Sequence, residues 1–128
     1  MRLWHQDLLP LLPRQQLLGQ HRECCALRGK GWGKPHSVVN YVFEHPISIL
    51  EDYHFWVMSE MERRGYRPSL PWWMRGYRGK AFGEQRLIEL IKPKTEKAYE
   101  EHNEAYLKEC VENLRSKGIV LAAWGMRT

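Results

Sequence analysis

Two stretches dense in glycine and proline constrain this chain more than any other feature. Residues 28–37, RGKGWGKPHS, hold three glycines and one proline, and residues 66–83, YRPSLPWWMRGYRGKAFG, hold three glycines and two prolines. Proline removes a backbone donor and clashes with the preceding turn, and glycine loses the most freedom on ordering, so both stretches resist regular structure. Long elements are confined to what lies between them. Pro13 suits a first helical position, and Leu17, Leu18, His21, Cys24 and Cys25 then recur at helical spacing as far as Arg28. From Pro46, a second helix follows Ile47, Leu50, Tyr53, His54, Val57 and Met61 and stops at Gly65. Tyr99, His102, Tyr106, Cys110, Val111 and Leu114 mark a last helix ending near Gly118.

Shorter segments fill the gaps. EQRLIELIK, residues 84–92, reads as a short helix ended by Pro93, and VVNYVF, residues 38–43, as a short extended segment with no partner strand. The tail IVLAAW is expected to pack back on the core. With 128 residues, 43% of them apolar, the chain can bury one sizeable core without staples. The expectation is an all-α single domain spanning residues 1–128, three main helices joined by long basic, aromatic-rich loops, with no internal repeat.

No apolar run reaches the roughly 20 residues that cross a bilayer, and MRLWHQDLLPLLP lacks a continuous apolar core and a cleavage site. A cytoplasmic monomer without membrane contact is expected. Three cysteines make an odd count, two of them adjacent, which speaks against a disulfide framework. The net charge of +5 admits nucleic acid, an anionic surface or an acidic partner.

The cations are unevenly placed. Residues 63–80 carry Arg63, Arg64, Arg67, Arg75, Arg78 and Lys80 with no acid among them, interleaved with Tyr66, Trp72, Trp73 and Tyr77, and Arg28, Lys30 and Lys34 lie in the other loop region. Cations that neutralise phosphates beside flat rings that stack on bases suit a nucleic-acid surface. A solvated loop pinned to the core by its tryptophans fits the same residues equally well. Glu96, Glu100, Glu101, Glu104, Glu109 and Glu112 gather on the last helix as an acidic, solvated face. The six histidines show no recognised zinc spacing with the cysteines, so neither a metal nor a cofactor is expected.

One further stretch departs from an ordinary amphipathic helix: GQHREC, residues 19–24. Glu23 shares a helix face with Gln16, Gly19 and Gln20. A glycine inside a helix costs roughly 1 kcal/mol relative to alanine, so Gly19 calls for tight packing or for space beside Glu23.

QQLLGQHRE at positions 15–23 resembles the first helix of the phage-type endonuclease V family, the pyrimidine-dimer DNA glycosylases, and VMSEMERRGY and EHNEAYLKECVENLRSKGI resemble its central and final helices. A bacterial branch grouped with that family looks closer still. The resemblance implies a helical protein that kinks damaged double-stranded DNA, extrudes a base, cleaves the glycosidic bond with its terminal α-amine, and breaks the strand by β-elimination without a cofactor. It implies Glu23 as the central catalytic group, Arg22 beside a phosphate, and the amine of Met1 as nucleophile. Contacts to DNA are then expected from Arg2, Gln16, Gln20, Arg28, Lys30, Lys34, Arg63, Arg64, Trp72, Trp73, Arg75, Arg78 and Lys80.

The chemistry stands on general grounds as well. An α-amine titrates near 8, so a useful fraction is neutral at physiological pH and can attack a sugar carbon, while a carboxylate stabilises cationic sugar character and moves protons. The sequence departs from the family pattern at position 2, where Arg2 replaces a small residue and predicts that Met1 is retained, moving the amine by one residue. The leading expectation is a DNA-repair glycosylase, with AP-lyase activity open. The alternatives are a non-catalytic nucleic-acid-binding protein on the same scaffold, and an enzyme acting on a small nucleotide-like substrate or using a bound metal.

Overall fold

The computed structural model describes residues 3–34, 40–87 and 89–121. Three α-helices carry it: α1, Arg14–Arg28; α2, Ile47–Arg63; and α3, Glu104–Ser116. The all-α expectation holds, with no strand among the described residues and one isolated antiparallel bridge, Met74 to Leu90.

Both proline signals act as helix starts, Pro13 and Pro46 being the capping residues of α1 and α2. At the other end of α2, Gly65 adopts φ +94°, and the Tyr66 N–H reaches back to the Met61 carbonyl at 2.9 Å. Gly118 (φ +81°) closes α3 the same way, through the Ile119 N–H to the Leu114 carbonyl. Only glycine takes this left-handed conformation cheaply, and the turn it permits satisfies carbonyls that the helix end leaves open.

Helix α2 is the hub. Leu50, Tyr53, Val57 and Met58 on it are fully buried, and it packs against α1 and against a 3-10 turn over Gln6–Leu11 that brings Leu8 and Leu9 into the core. Helix α1 contributes Leu17, Cys24 and Leu27, and α3 contributes Cys110 and Leu114. Leu121 is buried, so the start of the tail packs on the core as expected, and its remainder lies outside the described residues.

Three local expectations are corrected. The described residues of 84–92 form no helix: the Arg75 N–H donates to the Glu89 carbonyl and the Ile91 N–H to the Trp73 carbonyl, tying this stretch alongside the aromatic loop. A nine-residue segment cannot recover the cost of helix nucleation without packing, and here the loop offers its backbone instead. Asn40–Glu44 is a 3-10 turn rather than an extended segment, and Val38 and Val39 lie outside the described residues. Helix α3 starts later than the apolar spacing suggests, because Asn103 caps it by accepting from the Tyr106 N–H, leaving Tyr99 and His102 buried in the approach.

Candidate active site and nucleic-acid interface

The polar face of α1 opens onto a cleft of about 460 Å³ lined by Trp4, Gln16, Gly19, Gln20, Glu23, Asn113 and Lys117. Three segments meet there: the chain's first described residues, the middle of α1 and the end of α3. Gly19 explains its own presence, since a Cβ built on it would meet only the Arg22 guanidinium, at 3.7 Å. It leaves space at the cleft rather than admitting a neighbouring helix. Glu23 is half-buried, and burial pushes its carboxyl above the ordinary range. Arg22, next to it, is exposed.

The wall supplied by the first residues is held with unusual completeness. The Trp4 N–H donates to Gln20 Oε1 at 2.6 Å, and the Trp4 carbonyl accepts from the Tyr53 hydroxyl at 2.6 Å. The Leu3 carbonyl accepts from the Tyr106 hydroxyl, and the Gln6 N–H donates to His102 Nδ1 at 3.0 Å. The Gln6 side chain reaches the Glu96 carbonyl and the Ala98 N–H. Irregular backbone is thus pinned by side chains from α1, α2 and the α3 region.

The basic, aromatic loop is placed differently from the nucleic-acid surface expected of it. Arg28 is fully buried; its guanidinium donates to the carbonyls of Trp72 (2.7 Å), Met74 (3.0 Å) and Tyr77 (3.2 Å) and lies 5.1 Å from the Trp72 ring centre. Arg75 pairs with Glu51 at 3.1 Å and Asp52 at 2.6 Å, and Arg78 donates to the Arg28 and Gly29 carbonyls at the end of α1 while covering Phe82. Arg63 and Arg64 share Glu60, whose carboxyl is held below the ordinary range because their hydrogen bonds outweigh its burial. Trp72 packs on His54 and Tyr77, and Trp73 on Phe55. The pinned-loop alternative therefore describes most of this region. Gln20 likewise is buried in the clamp on Trp4, although it borders the cleft. Lys30, Lys34, Arg67 and Lys80 remain exposed, Gln16 lines the cleft, and Met1 and Arg2 lie outside the described residues.

His21, Cys25 and His54 converge with their ligating atoms within 4.8 Å of one another, a constellation the sequence spacing hid because one member comes from α2. Proton positions account for it. Arginine only donates, so Arg28, 3.0 Å from His54 Nδ1, makes that nitrogen the acceptor; His54 Nε2 then carries the proton and donates to His21 Nδ1 at 2.8 Å. His54 has no lone pair left for a cation, and the guanidinium beside it repels one. Burial first, and Arg28 second, holds the His54 imidazole well below its ordinary range. At His45, Nε2 lies 2.9 Å from both oxygens of Glu101, and an ionised carboxylate only accepts, so that nitrogen is the donor of the pair.

With this geometry in view, a family model described as pyrimidine dimer DNA glycosylase matches residues 1–74. The chain belongs to the pyrimidine dimer DNA glycosylase family. No curated protein and no solved structure matches it. The span matched by the glycosylase model holds α1, α2, Arg22 and Glu23, and it ends inside the aromatic loop. Asn113 and Lys117, which complete the cleft of this glycosylase-family chain, lie beyond that span. Sequence reading missed both, since the only local signal is their spacing of four on one face of α3. Among the described residues no helix is long and apolar enough to cross a membrane.

Proposed function

We propose that this chain is a DNA-repair glycosylase acting on pyrimidine-dimer-like damaged bases in duplex DNA, and that it also cleaves the strand at the resulting abasic sugar. The observation that carries the reading is the desolvated Glu23 carboxyl on the wall of an open cleft, with Arg22 free beside it. A carboxyl whose pKa is raised by burial holds and returns a proton more readily than an exposed one, and its anion stabilises the cationic sugar that forms as the base leaves. Arg22 holds a flanking phosphate, and the exposed Lys30, Lys34, Arg67 and Lys80 contribute sequence-independent contacts to the duplex. Extruding the base costs a few kcal/mol, less at a lesion that stacks poorly.

The nucleophile of the first step is the chain's terminal amine. Trp4 lines the same cleft as Glu23, and at most about 10 Å of extended chain separates it from position 1, which supports this choice. The enzyme works as a cytoplasmic monomer, one domain without metal or organic cofactor. Base release and strand scission on a duplex carrying a single thymine dimer test the proposal. Wild type is expected to act, and Glu23→Gln to fall by about a hundredfold or more, the range of a lost general acid-base group. Equal rates for the two overturn the role of Glu23. Arg2 at position 2 favours a second reading, DNA binding without chemistry, which predicts salt-sensitive retention of the same duplex and no released base.

A further inference from the structure

Lys117 is the one lysine among the described residues lining the Glu23 cleft. It sits at the end of α3, where its own N–H is turned back to the Leu114 carbonyl and Gly118 takes the chain away. Its ammonium lies 5.2 Å from the centre of the Trp4 ring. That ring belongs to the residue whose N–H and carbonyl are both clamped, so the amine rests on a fixed platform. One helical turn earlier on α3, Asn113 borders the same cleft, and its Oδ1 is buried without a hydrogen-bond partner. A buried, unmatched acceptor is costly, and a donor on a bound molecule would satisfy it.

We infer that Lys117 is a second imine-forming amine of this cleft, taking the C1′ aldehyde of an abasic deoxyribose, with Asn113 accepting from a hydroxyl of that sugar. The inference rests on the glycosylase reading above but not on what stands at position 1. Lys117 Nζ, as the neutral amine, forms a bond to C1′; the aldehyde oxygen departs as water with the amine's two protons, and one proton taken up at nitrogen leaves an iminium. Glu23 then accepts a proton from C2′, the electron pair moves into a C1′–C2′–C3′ conjugated system, and the 3′ phosphate leaves with the C3′–O bonding pair. Water finally releases the amine. Lysine is well suited to such covalent capture of carbonyl carbon.

The full chain, incubated with borohydride and a duplex carrying one abasic site, tests the inference through the position of the trapped adduct, read by mass spectrometry of the DNA-linked peptide. The expected adduct is on the peptide containing Lys117. Lys117→Arg keeps the positive charge over Trp4 and is expected to retain duplex binding in a gel-shift assay while its trapping falls about tenfold, since guanidinium is not a nucleophile. An adduct found wholly on the first residue, with Lys117→Arg trapping unchanged, overturns the inference and leaves the proposed function standing. Base release from dimer DNA with no trapped adduct overturns the inference together with the amine nucleophile and the strand cleavage proposed above, leaving only base release standing. Absence of both base release and adduct overturns the two together.

Discussion

Glu23 holds its place at a thermodynamic cost that can be measured. Burial raises its carboxyl pKa above the ordinary 4.5, so between that value and the raised one the folded state binds more protons than the unfolded state. Stability therefore falls as pH rises through this window, and the full penalty is present at neutrality. Glu23→Gln is expected to raise the melting temperature at pH 7, with the gain shrinking as pH falls through this window and gone below 4.5; scanning calorimetry at pH 7 and below pH 4.5 checks it. Gly19→Ala should behave alike, adding up to about 1 kcal/mol of stability from helix propensity while narrowing the cleft and slowing base release. Chemical denaturation read beside the rate separates the two effects. These positions were legible in the sequence because everything that marks them, a polar face and a glycine inside an apolar repeat, lies within two turns of one helix. Lys117 and Asn113 were not, because nothing local relates them to Glu23 some 90 positions earlier.

Among the elements, the aromatic loop shows how a cationic composition misleads. Arginine residues can bind phosphates or carbonyl groups, and the sequence contains no sign of which are nearby. Here Arg28 and Arg75 dock the loop onto α1 and α2, so their charges are spent inside the protein. Arg28→Ala is expected to destabilise the fold by about 3–5 kcal/mol, because three loop carbonyls and His54 Nδ1 lose their donor at once and Glu51 is left with Arg75 as its cation. Denaturant titration followed by tryptophan fluorescence measures it, and Lys80→Ala, in the same loop but exposed, should change stability by less than about 0.5 kcal/mol. The helices themselves were readable from spacing and proline. Residues 84–92 were not, since the backbone partners that override their helical pattern come from residues 73–75.

At the scale of the whole molecule, four buried or half-buried histidines are kept neutral. His102 is pushed down to about 3 by burial, with the charges of His5 and Lys97 adding to it, and His5, His21 and His54 are lowered by burial too. A histidine with a depressed folded pKa leaves stability intact above its unfolded value of 6.5 and removes it as pH falls toward the folded value. Each contributes up to about 1.4 kcal/mol per pH unit inside that window. Denaturation midpoints from pH 7 to pH 4 should therefore drop steeply, and a His102→Asn variant should show a shallower slope than wild type.

The clamp on Leu3, Trp4 and Gln6 carries a consequence for how the molecule is made. The atoms that fix these first residues include Tyr106 and His102, which leave the ribosome roughly a hundred residues later. Helices α1 and α2 can pair on a nascent chain, but the cleft wall cannot settle until α3 has emerged. The cleft wall is thus synthesised well before the groups that fix it and is among the last parts to take shape, and a chain stalled before α3 would carry Glu23 without an assembled cleft around it.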